Sequence, residues 1–417
     1  KIMNKSKKIN HCRLCKSKEF NSVIDFGKVP LGNNLSHLKN YSLELEIFRL
    51  CLVRCKSCKH FQLDYEVSPD KLYATNYTYL SGVAKSFAEH FDSYSNWIIK
   101  RCNLNKNNLV LDVGSNDGTC LSSFKRKNIK VLGIDPAKLP AKIANKNGIK
   151  TINKFFNKKT SNEIKKKYGN IDFITSHNVL AHIGNITEVF ENIFSLLKYD
   201  GYFCFEVGYF LKVLENNYFD TIYHEHLDYH HASPLVKYLN KLGFSIVNIN
   251  TNKIQGGSLR ILCKKNKDIK IYSQPLKFLL KEKNSLINDK IFINKWPNEI
   301  NNNMTQFSNI IRKYLKEGKN VIGYGAPTKA TLILKMSNIR HNSLSNIIED
   351  NDLKVGKYMP KTDIKIIKYS KSRINNADVI IIFAWNFFSD IIKKLKKDNI
   401  SNKIIIVPLP KVKIFYI

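Results

Sequence analysis

From Leu109 onward the chain alternates short apolar runs with longer segments whose apolar residues recur at helical spacing. LVLDV, KVLGI, DFITS and YFCFEV are runs of the first kind, and their alternation with helical segments predicts a doubly wound α/β domain. IVNIN and SLRILC close it and predict an antiparallel edge. The Asn- and Lys-rich stretch between Lys264 and Asn303 reads as a connector with helical pieces. A second α/β unit follows, from VIGYGAPTKATLIL through IIEDNDLKVG to DVIIIFAW and KIIIVPL, and predicts a Rossmann-like layer of about three to four strands. Ahead of both units, a helical-looking segment carries YATNYTYLSG, and an amphipathic pattern runs on to about Lys100.

A chain of 417 residues exceeds what one core usually supports, so two or three domains are expected. With 43% apolar and 24% charged residues it has the profile of a globular protein. The net charge of +34 would suggest a polyanionic partner, but the lysines are dispersed along the whole chain. Dispersal argues against nucleic acid, whose binding proteins concentrate basic and aromatic residues in one segment, and leaves a small anionic substrate compatible. No run approaches the roughly 18 to 20 apolar residues of a membrane span. The basic KIMNKSKKIN lacks the apolar segment of a secretory signal, so a cytoplasmic protein with reduced thiols is expected.

Four of the nine cysteines form paired hooks, Cys12 and Cys15 in CRLC and Cys55 and Cys58 in CKSC. A two-residue spacer turns both sulfurs of a hook toward one point, and two hooks close a tetrahedron around Zn²⁺. A closed Cys₄ shell leaves no open coordination position, so the zinc is expected to be structural. Redox chemistry is disfavoured, because neither hook lies at a strand-to-helix junction. Cys51 fits neither hook, and Cys102, Cys120, Cys204 and Cys263 sit singly among apolar residues and read as core.

The most informative segment is LVLDVGSNDGT. A strand runs into Asp112, Gly114 permits a tight turn beside a ligand, and Ser115, Asn116 and Asp117 lead into a helix. Asp135 ends the next strand, where a carboxylate can accept from both hydroxyls of a ribose. A dinucleotide turn would want GxGxxG to bring backbone against pyrophosphate. GSNDG places carboxylates there instead, which suits a cofactor bearing sulfonium and ammonium groups, and S-adenosylmethionine is the expected cofactor.

In their order, the Cys₄ hooks, YTYLSG, DVGSNDG, GIDP, HNVLAHI, FEVGYF, DTIYHEH, GGSLR, GYGAPTKATLIL and WNF resemble the nucleotide-sugar C-methyltransferases that act on 4-keto-6-deoxyhexoses. The resemblance spans nearly the whole chain. It implies an α/β protein with a class I methyltransferase Rossmann-like domain, an N-terminal zinc module and a C-terminal Rossmann-like domain. The expected division is 1–72 for the zinc module, 73–265 for the S-adenosylmethionine-binding catalytic domain, and 266–417 for a domain contributing to nucleotide-sugar binding. The family's catalytic motif falls on Tyr223, Glu225 and His226. Proton chemistry fits these residue types, since histidine titrates near neutrality and a tyrosine can donate to an enolate oxygen.

The resemblance further implies that Tyr77 and Tyr79 line the acceptor pocket, and that Asn178 and His182 lie beside cofactor or substrate. In the C-terminal unit Gly323, Gly325 and Lys329 suggest backbone N–H groups and one cation facing a phosphate, with Glu349 near a ribose. The implied reaction is methylation at C3 of a nucleotide-linked 4-keto-6-deoxy sugar, with His226 removing the proton. Methylation at another position, another conversion of a related activated sugar, and an RNA methyltransferase are the alternatives. One departure stands out, because HEH runs on into LDYHH, with Asp228, His230 and His231, where an aromatic, serine-rich continuation is expected.

Overall fold

The computed structural model describes residues 6–68, 71–72, 85–339 and 342–417. The N-terminal part contributes β1 (Ser6–Lys8), β2 (Phe20–Pro30), β3 (Ile47–Cys55), β4 (Phe61–Leu63) and β5 (Tyr65–Val67). The central part carries β6 (Leu109–Val113), β7 (Lys130–Ile134), β8 (Thr151–Ile152), β9 (Ile171–His177), β10 (Leu197–Gly208), β11 (Asp228–Tyr229), β12 (Phe244–Asn252) and β13 (Ser258–Lys265). The C-terminal part holds β14 (Val321–Tyr324), β15 (Asn346–Glu349), β16 (Lys365–Lys368), β17 (Val379–Ile382), β18 (Ile404–Val407) and β19 (Lys413–Tyr416).

The central sheet has seven strands in the order β12-β13-β10-β9-β6-β7-β8. Strands β8, β7, β6, β9 and β10 run parallel, and β13 lies antiparallel to both β10 and β12. The antiparallel edge expected from IVNIN and SLRILC is therefore present. This strand order, with one reversed strand beside the edge, is the class I methyltransferase form of the Rossmann-like sheet. Parallel strands buried on both faces read as continuous apolar runs, as Val110, Leu111, Phe173 and Ile174 do with no measurable exposure. In such sheets ligands gather at the carboxyl ends of the strands, and the loops after Val113, Ile134, His177 and Gly208 all open there.

The C-terminal sheet has six strands, β16-β15-β14-β17-β18-β19, rather than three or four. The two missed in the sequence, KIIK and KIFY, are edge strands whose apolar runs are too short to stand out. The stretch read as a connector folds into the helices Ser273–Lys283 and Lys290–Lys316. The longer one buries Ile293, Trp296, Ile300, Met304, Phe307 and Ile311, an i, i+3/i+4 stripe that fixes its packed face.

A third sheet crosses a domain boundary. Its order is β11-β4-β3-β2, so the two-residue strand β11 of the central part completes the sheet of the cysteine-bearing N-terminal part.

Candidate active site

At the end of β6 the chain turns through Gly114, whose φ of +78° suits glycine, and a Cβ there would lie 2.2 Å from Val179 Cγ2. Asp135 closes the turn by accepting from Asn116 N and Ala137 N, each at 2.8 Å. Asp117 accepts from Thr119 N, the first residue of the following helix, at 3.2 Å. The cradle leaves polar groups without protein partners, because Asp112 Oδ1 and Ser115 Oγ are buried and unpaired among the described residues. Burial raises the Asp112 carboxyl well above its ordinary value, and the nearby Asp135 adds to the shift. Burial raises Asp135 as well, against its two backbone hydrogen bonds. A ligand carrying positive charge and hydroxyl donors would relieve both carboxyls, so the donor set fits S-adenosylmethionine.

From Gly114 the packing leads to the second cluster. Val179 lies between Asn178, whose N–H donates to Glu206 O at 2.8 Å, and the 3₁₀ turn Leu180–His182. The His182 ring meets His226 edge-on, with centroids 4.9 Å apart. His226 Nδ1 is 3.0 Å from Thr221 O, a carbonyl that can only accept, so Nδ1 carries the proton and Nε2 the lone pair. That lone pair takes the Tyr223 hydroxyl at 2.9 Å. Burial pushes His226 down to about 3, with His182 contributing, and burial brings His182 to about 4. Both imidazoles are therefore neutral at physiological pH.

Glu225 points the other way. It accepts from Asn33 Nδ2 at 2.8 Å, and Asn33 Oδ1 in turn accepts from Thr328 Oγ1 at 2.5 Å. Burial raises Glu225 to about 7 against that hydrogen bond and the charge of Lys354. One carboxyl thus joins the N-terminal, central and C-terminal parts. Asn33 belongs to a segment that reads in the sequence only as turn, and Thr328 to a glycine loop read as a phosphate cradle, so neither was assigned this contact.

Behind this loop, at the carboxyl end of β10, Glu206 gathers His90 Nε2 at 2.7 Å, His177 Nδ1 at 3.2 Å, Arg260 Nε at 2.5 Å and Asn252 Nδ2 at 3.1 Å. Burial alone would raise its carboxyl, but the hydrogen bonds from His177 and His90 and the charge of Arg260 hold it well below the usual range. In the sequence Glu206 lies in FEVGYF, Arg260 in GGSLR and His177 at the head of HNVLAHI, while His90 and Asn252 fall in no motif, and no spacing links the five.

The LDYHH continuation has a structural explanation. Asp228 accepts from His60 Nε2 at 2.7 Å, and His231 Nδ1 lies 3.1 Å from Glu282 and its Nε2 3.1 Å from Lys59 O. Asp228, His230 and His231 are all buried, and they seat the central part on the cysteine-bearing sheet.

That sheet carries the four cysteines. Cys12 and Cys58 Sγ, and Cys15 and Cys55 Sγ, are each 3.5 Å apart, and all four lie within 4.8 Å of one another. A tetrahedral zinc with Zn–S of about 2.3 Å wants sulfurs roughly 3.8 Å apart, so the donor set fits. Among the described residues no other group of histidines, cysteines and carboxylates has ligand spacing.

Tyr77 and Tyr79 lie outside the described residues. In the C-terminal part the two glycines of the loop permit close packing against neighbouring side chains. A Cβ on Gly323 would meet Ile347 at 2.7 Å, and one on Gly325 would meet Ala384 at 2.5 Å. Lys329 Nζ lies 3.9 Å from Asp220 and 3.6 Å from the centroid of the Trp385 ring, and burial lowers its pKa. Glu349 accepts from Ala326 N, Asp350 N and Asn351 N, between 2.8 and 3.0 Å.

The strand order, the glycine turn with its unpaired buried acceptors, and the ring pair at the sheet's carboxyl edge define an S-adenosylmethionine-dependent methyltransferase. Three family models tile the chain, described as "Putative zinc binding domain" over residues 12–73, "Methyltransferase domain" over 87–249 and "C-methyltransferase C-terminal domain" over 253–410. The chain is a three-domain C-methyltransferase. It is 29% identical over 404 residues to C-methyltransferase NovU of Streptomyces niveus, covering 97% of this chain and 96% of that one. Among solved structures it is similar to magnesium protoporphyrin IX methyltransferase of Synechocystis (15% identity, 43% of this chain and 79% of that one, TM-score 0.34). A methyltransferase of Clostridium acetobutylicum overlaps similarly (15% identity, 42% of this chain and 92% of that one, TM-score 0.35). Among the described residues no helix is long and apolar enough to cross a membrane.

Proposed function

We propose that the chain methylates a carbon next to a ketone, C3 of a nucleotide-linked 4-keto-6-deoxy sugar, with His226 as the base. The observation that carries this reading is the Thr221–His226–Tyr223 chain, with Nδ1–H fixed on a carbonyl and Nε2 facing a hydroxyl. The division of labour follows the residue ranges 1–72 for zinc, 73–265 for cofactor and base, and 266–417 for the nucleotide end of the substrate, where Gly323, Gly325, Lys329 and Glu349 belong.

Asp112, Gly114, Ser115, Asn116, Asp117, Asp135 and Asn178 would hold S-adenosylmethionine, which supplies an electrophilic methyl on a sulfonium to the carbanion made beside it. A burial-lowered His226 stays in its base form throughout the neutral range. Its weakness as a base is offset when the proton arrives beside a developing enolate, because imidazolium and enolate then form an ion pair in a water-poor site. Handing the Tyr223 hydroxyl from Nε2 to the keto oxygen does two things at once, freeing the lone pair and providing a donor where charge develops. Glu225, titrating near 7, can hold a proton for the loop, and His182 keeps the His226 ring in place.

The test is proton exchange. A 4-keto-6-deoxy nucleotide sugar in D₂O with native protein should exchange its C3 proton, and His226→Gln should abolish exchange and methylation while sparing cofactor binding. Tyr223→Phe should slow methylation by about 10² to 10³, the cost of removing one oxyanion donor. A His226→Gln protein that exchanges and methylates at the native rate would eliminate His226 as the base.

A further inference from the structure

The histidine loop ends on Leu227, and both backbone groups of that residue are taken. Its N–H donates to Ala181 O at 2.7 Å, next to His182. Its carbonyl accepts twice, from Leu63 N at 2.9 Å and from Arg13 Nη1 at 3.2 Å. Arg13 is the second residue of the first cysteine hook, between Cys12 and Cys15. Its own N–H donates to Gln62 Oε1 at 2.8 Å, its Nη1 also donates to Leu63 O at 3.0 Å, and Nη2 lies 3.5 Å from Glu66.

A guanidinium only 2% exposed is costly to bury, and here its nearest carboxylate is no closer than that contact with Glu66. It also reaches across the domain boundary to the Leu227 carbonyl next to His226, and its charge helps to hold the buried Asp228 carboxyl below its ordinary value against burial. The hook holds the backbone at Arg13, and the planar guanidinium donates from one nitrogen to two carbonyls, one in each domain.

We propose that Arg13 is a positioning residue for catalysis, through which the cysteine hook fixes Leu227 and hence the placement of the His226–Tyr223 pair. This deepens the reading of His226 as base and rests on it. The module is then a brace for the base and not only a folding unit. What arginine adds over lysine is a second nitrogen, Nη2, which lies 3.5 Å from Glu66 while Nη1 serves both carbonyls.

The test uses zinc-loaded protein with Arg13→Met, which keeps the stem and removes the donors, and Arg13→Lys, which keeps a cation. Zinc content, cofactor affinity by calorimetry, His226 titration by ¹⁵N NMR, and kcat and KM for a 4-keto-6-deoxy nucleotide sugar are measured. Arg13→Met should keep one zinc and bind cofactor within about twofold of native, since it touches no part of the cradle. Its kcat should fall by about 100-fold with KM little changed, the scale of a small misplacement far from the chemistry. Its His226 should titrate higher than in the native protein as the loop loosens, and Arg13→Lys should recover part of both effects. Native kcat and native His226 titration in a zinc-loaded Arg13→Met protein would overturn the proposal. Loss of zinc in both variants would overturn it too, since Arg13 would then serve the hook alone. The titration needs no substrate, so a native protein inert toward keto sugars would sink the acceptor assignment while leaving Arg13 to be judged by NMR.

Discussion

Asp220 Oδ2 accepts the indole N–H of Trp385 at 2.7 Å, a buried bond between the central and C-terminal domains one residue before the carbonyl that holds His226. Trp385 also stacks on Tyr218 with centroids 4.1 Å apart. Trp385→Phe keeps an aromatic ring there but removes the donor, leaving a fully buried carboxylate with an unmet acceptor. Stability should fall by about 1 to 3 kcal/mol. Urea unfolding of the variant against the native protein checks this, and an unchanged midpoint would show that Lys329 alone satisfies Asp220.

Glu225 gives the stability a defined pH dependence. Its folded value of about 7 lies above the ordinary 4.5, so the native state binds the proton more tightly than the unfolded one. Stability from this group is present below pH 4.5 and is lost as pH rises through 7. Glu225→Gln, which keeps an oxygen for Asn33, should change little at low pH and stabilise at pH 8 by up to about 3 kcal/mol. Melting curves at the two ends of that range decide it, and equal effects at both would remove Glu225 as the titrating group.

Asp135 holds the turn through the N–H groups of Asn116 and Ala137, and the proposed cofactor site gives it a ribose to receive as well. Asp135→Asn retains one acceptor oxygen and loses the charge. S-adenosylmethionine should bind more weakly by roughly 1.5 to 3 kcal/mol, the worth of a hydrogen bond to a charged acceptor. Calorimetry returning the native dissociation constant would take Asp135 out of the cofactor site.

Zinc removal should be felt beyond the hooks. With the Cys₄ shell open, β4 loosens, and the Leu63 N–H that donates to Leu227 O should lose protection from hydrogen exchange. The Val110 and Leu111 amides, deep in the central sheet, should keep theirs. Exchange before and after chelation gives the comparison, and uniform loss across all three amides would mean that the whole chain depends on the metal for its fold.

Much of this was legible before any coordinates. LVLDVGSNDGT announces a strand, a glycine turn and a helix because each step has a local cause, and two CxxC hooks imply one metal wherever the chain carries them. The roles of Asn33, Thr328 and Arg13 were not legible, because each depends on a partner in another domain, and no spacing along the chain encodes such a meeting. LDYHH stood out as a departure whose cause was hidden for the same reason, since its partners Lys59 and His60 lie in another domain. The long helix from Lys290 was legible only as helical pieces of a connector, for a different reason. Its apolar stripe is regular, but it is diluted by asparagine and lysine until the composition masks the period.

The shared sheet limits how this protein can be cut. Excising the cysteine-bearing region would strip β11 of β4, its partner strand among the described residues, and leave the edge at Phe61–Leu63 open on the detached fragment. Unprotected edges of that kind recruit other chains, so the severed pieces should aggregate unless they are produced together and recombine.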